Sequence, residues 1–197
     1  MKTIILASNN NHKIAEFKEI LPEYDILSLK DVGFFDDIVE DGNSFLENSL
    51  IKAKAIRKFI SGTKYEKALI IADDSGLCVN ALGGAPGIYS ARYAGDHNFA
   101  SNRQKLLSEL EGKKDRSAYF VCLLVVMQPD GTYDYVEGKT FGEISKEEHG
   151  KTDFGYDCLF YSTDLKKTFG EATEEEKNSV SHRGRAIQLL KSRELLK

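Results

Sequence analysis

Apolar residues along the chain follow two rhythms. An unbroken run fills residues 68–72 (A-L-I-I-A), the pattern of a strand buried on both faces, and residues 2–7 (with T-I-I-L-A) and 117–127 (S-A-Y-F-V-C-L-L-V-V-M) also read as strands. Elsewhere the spacing changes to three and four. Ile14, Phe17, Ile20 and Leu21 share one helical face, and Pro22 ends that helix. Residues 25–29 read as a second strand, and residues 30–43 form a loop holding Asp36, Asp37, Glu40 and Asp41. Leu46, Leu50, Ala53, Ile56 and Ile60 stripe a long helix over 44–60, opened by Ser44 and Glu47 at capping-box spacing. A helix over 98–111 turns Leu106, Leu107 and Leu110 inward. Pro129-Asp130-Gly131 joins 117–127 to 133–144 as a hairpin, and 158–161 (C-L-F-Y) is a short strand. Thr173 and Glu176 open a further helical turn, and the last helix carries Ala186, Ile187 and Leu190 inward. Helices alternating with strands early and a hairpin late predict an α/β fold with a mixed sheet.

The run at 68–72 passes directly into Asp73-Asp74-Ser75-Gly76. The expectation is a strand that ends here and presents an acid at the carboxyl edge of the sheet, where open α/β sheets hold ligands. Alternation sends Asp73 and Asp74 to opposite surfaces, so only one need reach a substrate. Gly76 permits a sharp turn, after which 77–82 reads as another short strand closed by the fixed loop G-G-A-P-G. Taken singly, D-D-S-G is equally a polar turn closing a strand.

Two other polar concentrations stand out. The first strand runs into Ser8-Asn9-Asn10-Asn11-His12-Lys13 ahead of a helix, an arrangement that aims backbone N–H groups and a helix dipole at an anion. Lys13 is unfavourable in the first turn of an isolated helix and favourable if a phosphate sits there. No Walker A pattern is present, and alone the stretch is also a capping turn. Toward the end of the chain come Phe154-Gly155-Tyr156-Asp157, Lys177 and Ser181-His182-Arg183-Gly184.

Composition narrows the partners. Net charge is −4 over 197 residues with no extended basic cluster, which argues against a nucleic-acid polymer but leaves room for a small anion on local cations. No segment approaches the ~20 apolar residues of a membrane helix. Cys78, Cys122 and Cys158 lie in apolar segments without C-x-x-C spacing, as free thiols of a reducing, cytoplasmic compartment and not as zinc ligands. If the polar loops share one edge of the sheet, Lys13, Lys52, Lys177, His182 and Arg183 supply cations, and Glu40, Asp73 and Asp74 supply acids. Phe154 and Tyr156 would then add aromatic surface. Such a set suits a nucleotide whose phosphates are bound through a metal.

S-N-N-N-H-K, A-D-D-S-G-L, G-G-A-P-G-I-Y-S-A-R-Y, F-G-Y-D, E-E-K and S-H-R-G, in this order, resemble the inosine triphosphate pyrophosphatase family over about residues 3–190. The resemblance implies an elongated mixed sheet flanked by helices, in a single domain over 1–197 whose two lobes enclose a nucleotide cleft. It also implies Mg²⁺ (with Mn²⁺ as the alternative), a homodimer, and hydrolysis of ITP, dITP or XTP to monophosphate and pyrophosphate. Carried over by motif, Ser8, Asn9, Asn10, Asn11, His12 and Lys13 hold phosphates with Lys52. Asp74 activates water and contacts the metal, Glu40 is the second metal ligand, and Ser75 touches the substrate. Phe154, Gly155, Tyr156 and Asp157, with Lys177, His182 and Arg183, bind the base and its neighbouring phosphate. The first loop departs from the family's usual T-G-N-x-x-K, since Ser8 and Asn9 replace Thr and Gly; Asn9 is expected to adjust the loop through its tolerance of left-handed backbone. Two rivals remain at this point: a house-cleaning pyrophosphatase for other modified nucleotides, and a nucleotide-binding module without turnover.

Overall fold

The structure, a computed structural model, describes residues 1–95 and 98–196. Six strands are present among the described residues: β1 (Lys2–Leu6), β2 (Tyr24–Leu27), β3 (Leu69–Val79), β4 (Ser117–Met127), β5 (Tyr133–Ile144) and β6 (Phe160–Ser162). They form one sheet in the order β2-β1-β3-β4-β5-β6. β1 pairs in parallel with β2 and β3, and each return passes through a helix, α1 (Asn11–Ile20) and then α2 (Phe45–Ile60). Between β4 and β5 the Gln128 N–H donates to Thr132 O and the Gly131 N–H to Gln128 O. That loop is too short for a parallel crossover, so the pair is a hairpin, and β6 adds to β5 antiparallel. The mixed α/β sheet expected from the apolar pattern is therefore what forms. Helices α3 (Phe99–Glu109), α4 (Glu174–Val180) and α5 (His182–Ser192) complete the framework.

The chain divides into two compact units. One comprises Met1–Asp74, Cys122–Glu137 and the chain from Ala186 onward; the other comprises Ser75–Val121 and Gly138–Arg185. In the first unit both faces of the sheet are covered. Ile4, Leu6, Leu69 and Ile71 pack with Phe17 and Leu21 of α1 and with Ile187 and Leu190 of α5. Ile5, Ala7, Ile70 and Ala72 pack with Ala53, Ile56 and Ile60 of α2. Double coverage is why these strands carry no polar alternation. The second unit has its own core, in which Leu77 and Val79 of β3 meet Leu106 and Leu110 near α3 and the rings of Phe120, Phe160 and Phe169.

Three boundaries differ from expectation. β3 does not end at Ala72; it runs unbroken through Asp73, Asp74, Ser75 and Gly76 to Val79. The two acids thus lie mid-strand instead of at the carboxyl edge, and Gly76 makes no turn. Residues 77–79 close this strand and Asn80–Leu82 form a 3₁₀ turn ended by left-handed Gly83 (φ 64°), so there is no separate strand over 77–82. The turn signal was generic, and partners on both faces of the strand overrode it. α1 begins at Asn11, so Asn11, His12 and Lys13 form its first turn, with the Asn10 side chain accepting from the Lys13 N–H.

Candidate active site

The alternation of β3 builds the acidic end within the first unit. Asp73 shares the parity of Leu69 and Ile71 and turns toward α1. Asp74 shares that of Ile70 and Ala72 and turns toward α2. Asp73 is 1% exposed; its Oδ1 lies 2.5 Å from Lys13 Nζ, and Cys122 Sγ donates to its Oδ2 at 3.3 Å. Asp74 Oδ2 accepts from Asn48 Nδ2 at 3.1 Å, while Asp74 Oδ1 lies 3.9 Å from Lys52 Nζ. The same Lys52 ammonium is 2.7 Å from Glu40 Oε2 and donates to the Asp73 carbonyl at 2.8 Å. Two carboxylates from distant segments are thereby gathered at one cationic point.

Burial pushes the Asp74 carboxyl above the ordinary aspartate range, Glu40 adding to the rise. Lys52, Lys13 and the Asn48 hydrogen bond oppose it without cancelling it. A carboxylate that keeps its proton affinity is better suited to taking a proton from water than a fully stabilised one.

The first loop is shaped by its own side chains. Ser8 Oγ accepts from the Asn10 N–H at 3.1 Å, and Asn9 Oδ1 accepts from the Lys30 N–H at 3.0 Å. Asn9 is not left-handed: among the described residues, positive φ outside glycine is found at Lys166 and Glu194. The substitution for glycine is accommodated by turning the carboxamide onto the Lys30 backbone, a different route from the one anticipated.

The other concentration of predicted residues lies in the second unit. Lys177 Nζ is 2.8 Å from Asp157 Oδ2 and 5.1 Å from the centroid of the half-buried Phe154 ring. Gly155 takes φ 51°, a left-handed value that favours glycine. Arg183 is 1% exposed and donates to Ser75 Oγ at 3.4 Å, while the His182 ring stacks on Phe120 with centroids 4.8 Å apart. The Gly184 N–H donates to Ser181 Oγ, and a Cβ at Gly184 would collide with the Asn178 carbonyl oxygen. Close approach of the first turn of α5 to α4 therefore explains the glycine of S-H-R-G.

Tyr156 departs from its expected role. Its side chain is 4% exposed, belongs to the core of this unit, and donates its hydroxyl to the Ser90 carbonyl at 2.8 Å. Burial also raises its pKa. The ring is core, and the aromatic surface of this loop is Phe154.

Two residues join the set that sequence reasoning did not assign. Asn48 lies four residues before Lys52 on the same face of α2; besides holding Asp74, its Oδ1 accepts from the Gly42 N–H at 2.9 Å and so ties down the loop carrying Glu40. A Cβ at Gly42 would lie 2.7 Å from Asn48 Oδ1, so no larger residue fits there unshifted. Arg103 on α3 donates to backbone carbonyls of the Phe154 loop, and nothing local announced that.

A model of the Ham1 family matches residues 4–193. This chain belongs to the Ham1 family. A relative from Clostridium perfringens named dITP/XTP pyrophosphatase is 50% identical, over 97% of this chain and 96% of the relative. The Ham1 protein of Staphylococcus aureus has a similar solved structure, with TM-score 0.84, 41% identity and 97% of each chain covered. A HAM1 protein from Coxiella burnetii gives TM-score 0.85 at 37% identity over the full length of both chains. Membership of the Ham1 family, with relatives so named, bears out the resemblance drawn from the motifs.

Proposed function

We infer that this chain hydrolyses deaminated purine nucleoside triphosphates (ITP, dITP and XTP) to the monophosphate and pyrophosphate. The observation that carries the reading is the buried Asp74, held by Asn48 and facing the Lys52–Glu40 pair, in a chain whose relatives are named dITP/XTP pyrophosphatase. Asp74 and Glu40 would hold a divalent cation, Mg²⁺ or alternatively Mn²⁺. Two oxygen donors converging on one charged point fit a hard ion that draws its other ligands from phosphate and water. When bound, that ion neutralises charge on the triphosphate.

The chain's own groups do the rest. Asp74 takes the proton of the attacking water, the water oxygen bonds to phosphorus, and the bond to the departing pyrophosphate breaks. Lys52, Lys13 and the loop from Ser8 to His12 hold phosphate oxygens. Within the second unit Phe154 would stack the base, with Asp157 and Lys177 beside it. Hypoxanthine and xanthine present a 6-keto acceptor that suits Arg183 or His182 as donors. Adenine presents an amino donor there and would leave a buried group unpaired.

The reading extends to one domain acting as a homodimer on free nucleotides in the cytoplasm. The net charge of −4 supports a free nucleotide over a polymer, and no helix among the described residues is long and apolar enough to cross a membrane. The deciding experiment is a triphosphate panel assayed for pyrophosphate with and without chelator, and sedimentation at assay concentration checks the dimer. Release from ITP and XTP that chelation abolishes is the expected result. Orthophosphate release, intact triphosphate, or a preference for modified pyrimidines would overturn it.

A further inference from the structure

We propose that Arg103 is the positioning residue for the nucleobase platform, acting through the loop over 152–155 without touching substrate. The inference rests on the reading of Phe154 as the surface on which the base stacks. That loop lies outside helix and strand; the Asp157 N–H donates to the Phe154 carbonyl in a single turn, and no longer ladder of backbone hydrogen bonds holds the ring. What brackets it is one guanidinium nitrogen: Arg103 Nη1 donates to the Thr152 carbonyl at 3.2 Å and to the Gly155 carbonyl at 3.0 Å, on either side of Phe154.

The clamp is itself fixed. Arg103 Nε donates to Glu148 Oε1 at 2.6 Å, the residue is 5% exposed, and the guanidinium is a rigid plane. One turn earlier on α3, Phe99 meets the Phe154 ring edge to face, with centroids 5.9 Å apart. Phe99 and Arg103 are four residues apart, on one face of the helix. α3 therefore sets both the backbone bracket and the tilt of the ring, and a lysine at 103 would have one nitrogen to serve the two carbonyls and Glu148 together.

The test compares Arg103→Lys and Phe99→Leu with wild type, using ITP as substrate and inorganic tripolyphosphate as a competitor that has no base. Arg103→Lys is expected to raise KM for ITP about tenfold with kcat within about threefold, and Phe99→Leu to raise KM about threefold. Inhibition by tripolyphosphate stays unchanged in both. In a Phe154→Ala background, Arg103→Lys adds nothing further, because the platform it positions is gone. A role confined to folding would weaken tripolyphosphate binding in step with ITP, or add fully to Phe154→Ala, and either result overturns the proposal, as does an unchanged KM. Should Arg103→Lys not fold, Phe99→Leu carries the same comparison. Wild-type enzyme that releases no pyrophosphate from ITP would sink the underlying reading instead, a separate outcome.

Discussion

The Asp74 cluster of the first unit and the Phe154 loop of the second are held by different physics. Around Asp74 the side chains of Lys13, Asn48, Lys52 and Asp73 stand on α1, α2 and β3, Glu40 comes from the loop before α2, and the groups restrain one another by ion pairs and one bifunctional amide. Around Phe154 the functional ring stands on a loop, and an arginine from α3 grips the loop by its carbonyls. The first arrangement presents fixed charges of both signs at short range, as the positioning of a phosphate and a water requires. The second presents an aromatic face whose height depends on a few backbone bonds. On the proposed reading, the more tightly paired cluster is the one that carries the chemistry, and the loop is the one that reads the base.

The largest effect separating the two clusters is expected from Asp74→Asn. It should lower kcat by about 10²-fold or more with little change in KM, measured as pyrophosphate release. The same variant has a stability signature. With its folded pKa raised, native Asp74 still binds a proton over a pH range where the unfolded chain has released it, so stability falls as pH rises through that range. Asp74→Asn should remove that slope from the pH dependence of Tm. Lys52→Met comes next. Because Lys52 pulls the Asp74 pKa down, its loss should move the acid limb of kcat/KM to higher pH and cost about 10-fold or more at neutral pH. An unmoved limb would detach Asp74 from the titration.

Asn48→Ala is expected to cost roughly 2 kcal/mol of stability, because Asp74 Oδ2 and the Gly42 N–H lose a buried partner, and to lower kcat several-fold through the Glu40 loop. Denaturant unfolding and steady-state kinetics on the same sample check both parts. Tyr156→Phe is the mildest. It removes the hydrogen bond to the Ser90 carbonyl, costing about 1 kcal/mol, and should leave KM for ITP within about twofold. A large rise in KM would return Tyr156 to the base-binding surface.

Some of this was readable before any fold was known. The unbroken apolar run at 68–72 announced a strand covered on both faces, capping spacings opened α2 and α4, and strict alternation already sent Asp73 and Asp74 to opposite sides. Those signals are local, reaching from a residue to its neighbours within one turn or one pleat, so a single chain carries them in full. The continuation of β3 through three polar residues and a glycine was not readable. A strand ends where its polar groups lack partners, and here they come from Lys13, Asn48 and Lys52, which are 60, 26 and 21 residues away from theirs. Tyr156 is the converse, an aromatic beside a candidate site whose hydroxyl found a carbonyl 66 residues away and whose ring joined a core. Arg103 reaches 49 and 52 residues to its loop. Periodicity assigned elements and faces; which buried polar group finds which partner is a long-range question of desolvation met by geometry, and only the tertiary structure answered it.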